Sequence, residues 1–161
     1  MKISICIPTY NRAESLLNCL ESIALNQNTS LIDYEVCISD NFSNDNTEEI
    51  VQSFQKKIPI NYYRNTSNIG RVKNYLNVVN IAKGDFIWLI GDDDLLLSNA
   101  IYEIDRLIFS NNDVQFFYIN SYCLESDYLT SFDHPFDTKN LPKNLPLFSS
   151  WTQDGRMQFI D

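Results

Sequence analysis

Two rhythms alternate along this chain: short, nearly unbroken apolar runs, and apolar stripes spaced three and four residues apart. Residues 2–7 form the first run, stopped by Pro8, and residues 34–39 the second, closing on Asp40-Asn41. Runs of that length read as strands. Between them Ala13, Leu16, Leu17, Leu20 and Ile23 mark one face of a helix, with Asn11 as its expected N-cap and Glu14 three residues on. A helix over about 47–55 follows, with Ile50, Val51 and Phe54 as its buried stripe, then a strand over 58–64 that Pro59 places at an edge or at the start of pairing. Val72, Tyr75, Leu76 and Val79 predict a helix over about 71–82 with these residues inward, ended by Gly84. Residues 86–90 read as a fourth strand, covered on both faces. Ser98 can cap a helix facing inward through Ile101, Ile104, Leu107 and Ile108, and residues 114–122 read as a fifth strand.

Strands alternating with helices are the mark of βαβ units. The fold class expected is therefore α/β, a Rossmann-like three-layer αβα sandwich with a mainly parallel central sheet. At 161 residues one domain is the prior, with residues 1–125 as its core. Beyond Glu125 the periodicity fades among Pro135, Pro142 and Pro146, so residues 126–161 read as an extended segment. Met157-Gln158-Phe159-Ile160-Asp161 stops in an apolar patch without a terminating signal, as a chain cut short would.

A formal net charge of −9, from 12 basic and 21 acidic residues, argues against nucleic acid as a partner. Cys6, Cys19, Cys37 and Cys123 form no C-x-x-C pair and His134 is the single histidine, so no zinc or redox motif is legible. A reducing cytoplasm is the default compartment. The N-terminal apolar stretch is too short for a signal peptide and no run reaches transmembrane length, which leaves a peripheral place at the inner face of a membrane open.

The chemistry concentrates where the fourth strand runs into Gly91-Asp92-Asp93-Asp94. Three adjacent carboxylates repel one another, and a cation among them removes the conflict. A divalent metal bridging to a diphosphate would do so, and hard oxygen donors suit magnesium or manganese; a solvated acidic turn is the alternative. Right-handed parallel crossovers bring the residues after each strand to one sheet edge. Pro8-Thr9-Tyr10-Asn11, Asp40-Asn41, residues 65–71 and the acidic triplet then become neighbours, and together they offer the parts needed to hold a nucleoside diphosphate. On local sequence alone, Asp40-Asn41 with Ser43-Asn44-Asp45 is also a turn followed by a helix cap.

Taken in order, Ile5-Cys6-Ile7-Pro8-Thr9-Tyr10-Asn11, Ile38-Ser39-Asp40-Asn41 with Ser43-Asn44-Asp45-Asn46-Thr47, Asn68-Ile69-Gly70-Arg71 with Asn74, and residues 82–95 resemble a family 2 glycosyltransferase of the GT-A fold, over about residues 2–107. The resemblance implies transfer of a sugar from a nucleotide diphosphate donor, a UDP-sugar foremost, with Mn2+ or Mg2+ and inversion at the anomeric carbon. The implied acceptor is a saccharide or a lipid-linked molecule, in bacterial surface polysaccharide assembly. Carried over by residue, Pro8, Thr9, Tyr10 and Asn11 would touch the nucleoside and Asp40 the base. Arg71 would meet base or diphosphate, with Asn68, Gly70 and Asn74 beside it. Asp92 would contact the ribose, and Asp93 and Asp94 are the implied metal ligands; an isolated D-x-D reading pairs Asp92 with Asp94 instead. Gly91 and Asn41 stand where many members carry aspartate. The family's general base follows this half, and Asp127, Asp133, Asp137 and Asp154 lie in no recognisable motif, so the base is expected outside the chain, which would bind nucleotide weakly and catalyse little alone. Two rival readings are a non-catalytic nucleotide- or cation-binding module and a phosphoacceptor signalling domain, the latter lacking its lysine after the fifth strand.

Overall fold

The two apolar runs nearest the N-terminus form the middle of a parallel sheet, β1 (Lys2–Thr9) pairing with β2 (Asp33–Asp40) from Lys2↔Asp33 to Thr9↔Asp40. The computed structural model describes residues 2–26, 33–119, 121, 130 and 159–160. β3 (Ile60–Arg64) joins β2 and β4 (Phe86–Leu89) joins β1, both parallel, giving the order β3-β2-β1-β4. Helices α1 (Ala13–Ala24), α2 (Thr47–Phe54) and α3 (Arg71–Ile81) fill the crossovers, so the expected α/β class with a parallel sheet is what the chain adopts.

The pleat of β1 and β2 sends Cys6 and Cys37 to one face, where Val78 of α3 covers them, and Ile5, Ile7, Val36 and Ile38 to the other; all are fully buried. The thiols serve as small apolar fillers, as their places within strand patterns suggested. Leu16, Cys19, Leu20 and Ile23 form the buried stripe of α1, and α1 packs on α2.

Four local expectations change. α3 buries Asn74 and Val78, while Val72 and Leu76 of the expected inward stripe are 74% and 61% exposed. Its orientation follows from Asn74, whose amide finds its partners on the strand ends beneath it. β4 is an edge strand among the described residues, with Ile87 and Leu89 46% and 44% exposed, so its apolar run is not fully covered on both faces. β3 starts at Ile60 because Pro59 has no N–H to give the ladder; its carbonyl instead accepts from Val36 N at 2.9 Å. Gly84 lies beyond the end of α3 and serves close approach: a Cβ there would sit 2.7 Å from Ser4 N and 2.8 Å from Lys2 O. Around it Ser4 Oγ and Lys83 N both donate to the Glu35 carboxylate at 2.7 Å, and Gly84 N donates to Ser4 Oγ at 2.8 Å.

The chain divides into two units, Met1–Tyr102 and Glu103–Asp161. α4 (Ala100–Ser110) begins in the first and runs into the second, with Ile101, Ile104 and Ile108 buried as expected and Leu107 half-buried. In the second unit the predicted fifth strand is reduced among the described residues to β5 (Tyr118–Ile119), which pairs in parallel with β6 (Phe159–Ile160) rather than with the four-stranded sheet. A two-residue ladder needs a partner that periodicity within one segment cannot reveal. Among the described residues no helix is long and apolar enough to cross a membrane.

Candidate functional site

Because all four strands of the main sheet run the same way, Thr9, Asp40 and Arg64 end side by side, and the loops that follow them converge. The first turn is fixed by the second. Asn11 takes a φ of 50°, tolerable for asparagine, and donates its N–H to Ser43 Oγ at 2.8 Å while its Oδ1 accepts from Asn44 N at 2.8 Å. Asn11 is therefore not the cap of α1. That role falls to Asp45, whose Oδ2 accepts from Ala13 N at 2.9 Å and whose Oδ1 accepts from Thr47 Oγ1 and Thr47 N at the start of α2. Burial pushes the Asp45 carboxyl up, but these hydrogen bonds outweigh it and hold the group below its ordinary value.

Asp40 lies beneath this turn, with no exposed surface. Its Oδ1 accepts from Ser43 N at 2.9 Å; its Oδ2 accepts from Tyr62 Oη at 2.8 Å and faces Arg64 Nε at 3.4 Å. The Arg64 guanidinium also lies 4.8 Å from the centre of the Phe42 ring, and Phe42 itself has a φ of 70°. Asp40 thus holds a strained turn rather than lining an opening, and its neighbour Asn41 reaches the surface of the pocket in its place.

A cavity of about 560 Å³, within the range of small-molecule sites, opens over the strand ends. Pro8, Thr9 and Tyr10 line one side, Asn68, Gly70, Arg71 and Asn74 another, and Asp92 and Asp93 a third. Those expected neighbours do come together; Asn11, Asp40 and Asp94 are not on the lining. Asn41 and Gly91, which stand beside the expected acids, are on it, and so are Arg12 and Tyr75, which no sequence motif marks as site residues. The signal for Arg12 is its place directly after Pro8-Thr9-Tyr10-Asn11, three residues past the end of β1 at Thr9, in a loop that faces Asp92 and Asp93.

Asn74 forms part of the floor. Its Nδ2 donates to Ser39 O at 2.8 Å and to Thr9 O at 3.4 Å, and its Oδ1 accepts from Ser39 Oγ at 2.8 Å and Asn65 Nδ2 at 2.9 Å. Asn77 closes the same network with bonds of 3.1 Å to Ser39 Oγ and Asn65 Oδ1. These bonds place β1, β2 and the turn before α3 in fixed relation.

The three acids have separate fates. Asp92 is buried, its Oδ2 accepting from Thr9 Oγ1 at 2.8 Å and its Oδ1 facing Arg12 Nη1 at 3.0 Å. Burial pushes its carboxyl up, against the lowering by Thr9 and Arg12. Asp93 is half-exposed and takes Arg12 Nη2 at 2.8 Å. Asp94 folds back, accepting from Gly91 N at 2.6 Å, which leaves it closing a turn away from the lining. The cation that relieves the triplet in this structure is therefore Arg12, and its hydrogen bond to Asp93 and the charge of Asp92 hold the guanidinium more firmly protonated still.

Among the described residues no group of three His, Cys, Asp or Glu side chains could hold a metal alone. Two hard carboxylates on a shared wall do fit an ion of the magnesium or manganese kind, which commonly takes one or two protein carboxylates and completes its shell with substrate phosphates and water. Asp92 and Asp93 form that pair. Asp127, Asp133, Asp137 and Asp154 lie outside the described residues.

Comparison with known proteins agrees with this architecture. The family model described as glycosyl transferase family 2 matches residues 4–151. The chain is 42% identical over 116 residues to the abequosyltransferase RfbV of Salmonella typhimurium, covering 71% of this chain and 34% of that protein. It is 37% identical over 102 residues to the GalNAc(5)-diNAcBac-PP-undecaprenol beta-1,3-glucosyltransferase of Campylobacter jejuni, covering 62% and 32%. It thus spans about a third of the length of these curated relatives. In fold, it is similar to S. aureus TarS 1-349, with a TM-score of 0.66 at 23% identity over 80% of this chain and 39% of that one; TarS is also solved with UDP and with UDP-GlcNAc. The mannosyltransferase PcManGT of Pyrobaculum calidifontis, solved with GDP-Man and Mn2+, gives 0.60 at 18% identity over 76% and 35%.

Proposed function

The chain belongs to glycosyl transferase family 2, and from that premise we propose that its strand-end pocket binds the nucleotide diphosphate of a sugar donor, a UDP-sugar foremost, for inverting transfer to an acceptor hydroxyl. The observation that carries this reading is the meeting of Tyr10, Arg71 and the Asp92-Asp93 pair on the wall of one cavity. Tyr10 and Tyr75 offer aromatic faces to a base, with Asn41 and Asn68 beside them as amide partners. Asp40 acts on the base side through the turn it holds. Arg71, at the start of α3, meets the diphosphate, and Asp92 the ribose. Asp93, with Asp92, would hold Mn2+ or Mg2+, which when bound neutralises charge on the leaving diphosphate. Burial of Asp92 under Thr9 fixes the wall against which the donor is oriented.

Residues 1–125 constitute the donor-binding core in this reading, and residues 126–161 lead toward an acceptor-binding portion that supplies the general base. The chain alone then binds nucleotide and transfers little. The named substrate of the Campylobacter jejuni relative carries undecaprenol, which supports a lipid-linked acceptor met from the cytoplasmic side of a membrane, in surface polysaccharide assembly. Family membership displaces the phosphoacceptor alternative. Calorimetry with UDP, GDP and CDP, each with and without Mn2+, tests the proposal. Metal-dependent binding of one nucleotide supports it, and cation binding without any nucleotide favours a non-catalytic module.

A further inference from the structure

Arg12 occupies the place where a metal would have to bind. Its Nη1 lies 3.0 Å from Asp92 Oδ1 and its Nη2 2.8 Å from Asp93 Oδ2, so one guanidinium spans both carboxylates. The remaining oxygen of Asp92 is taken by Thr9. An ion that bridges the two acids would need Oδ1 of Asp92, which Arg12 holds while it also pairs with Oδ2 of Asp93, and the two cations are therefore alternatives at that oxygen. The arginine is about half exposed, on the lining of the pocket, and is free to swing without disturbing the core. Once displaced, its planar fork matches phosphate oxygens, the ligand that arrives with the metal.

We propose that Arg12 is an exchangeable counter-ion. In the donor-free pocket it neutralises Asp92 and Asp93 and holds them in place. On arrival of a nucleotide diphosphate with its divalent cation, it yields the carboxylates and turns its guanidinium to the diphosphate. Arg12 is thus a positioning residue for the acids and a binding residue for the donor. The inference rests on the donor-pocket reading and assigns to it an order: the pocket disfavours metal alone and favours metal and diphosphate together.

The test compares the wild-type chain with Arg12→Gln and Arg12→Lys, using Mn2+ alone, followed by electron paramagnetic resonance of the free ion, and UDP at saturating Mn2+, followed by calorimetry. Thermal unfolding confirms that each variant is folded. Removing a half-exposed competing cation should tighten Mn2+ binding in the absence of nucleotide by about threefold to tenfold in Arg12→Gln. Loss of the fork should weaken UDP binding at saturating Mn2+ by about tenfold. Arg12→Lys should restore the charge competition and only part of the UDP affinity, which a merely structural role would not produce. Mn2+ binding that is unchanged or weaker in Arg12→Gln overturns the exchange, and so does an unchanged UDP affinity. A wild-type chain that binds Mn2+ but no nucleotide defeats the donor-pocket reading and the phosphate half of this inference, while the Mn2+ arm still decides the competition between arginine and metal.

Discussion

Asn74→Ala is the substitution that most directly probes how the pocket is held. The amide joins three segments through bonds of 2.8, 2.8 and 2.9 Å, with a fourth, longer contact of 3.4 Å to Thr9 O. Thr9 O keeps Asn41 N as a donor, and Ser39 Oγ keeps Asn77, so neither is stranded. The cost falls on the three short bonds. At roughly 1 kcal/mol net for each, the variant should lose about 3 kcal/mol, or about a hundredfold in the unfolding equilibrium. Asn77→Ala removes two bonds of 3.1 Å from a half-buried position and should cost about 1 kcal/mol. Urea unfolding followed by tryptophan fluorescence, run on both variants, measures the two losses. Because the released strand ends form the pocket floor, UDP affinity should fall in Asn74→Ala even where the chain remains folded. A loss below about 0.5 kcal/mol, or equal losses for the two variants, would refute the claim that Asn74 is the tie between β1, β2 and the α3 turn.

Other outcomes follow from the same geometry. Asp93→Asn should abolish the effect of Mn2+ on UDP binding while leaving unfolding by urea nearly unchanged, because Asp93 is half-exposed; calorimetry reads the first and denaturation the second. Gly84→Ala should destabilise by about 1–3 kcal/mol, since its Cβ would meet backbone atoms at 2.7 and 2.8 Å, and the midpoint of urea unfolding checks it. Burial raises the Glu35 carboxyl, but hydrogen bonds from Ser4 and Lys83 and the charge of Lys2 outweigh it, so its folded value is lowered. That contribution is present above the ordinary glutamate value of about 4.3 and is lost as pH falls through the lowered one. The stability gap between wild type and Glu35→Gln, measured by urea at a series of pH values, should therefore narrow below about pH 4.

The order of elements, the parallel pairing and the strand ends that form the pocket could be read from periodicity and crossover handedness, which are local or general rules. What escaped were relations that depend on a distant partner. Asn11 had the chemistry of a cap, but Asp45, 32 residues away from Ala13, does the capping. Val72 and Leu76 of the α3 stripe face outward because Asn74 on the same helix finds its partners on the strand ends, while Val79 stays packed against the core. Asp40, expected at the base, is buried with Ser43 N, Tyr62 Oη and Arg64 Nε around it, because the count of donors around a carboxylate is invisible in one dimension. Asp94 turned away for a reason three residues long, the N–H of Gly91, and Arg12 was passed over although the repulsion among the acids already called for a cation.

The clasp among Asn11, Ser43, Asn44 and Asp45 joins two loops that belong to different crossovers into one rigid wall. A ligand settling against Tyr10 then has no backbone to order on that side, and the entropy of fixing those loops is charged to folding rather than to association. Mutational loosening of the clasp should therefore appear first as faster ligand dissociation, well before the chain itself becomes easier to melt.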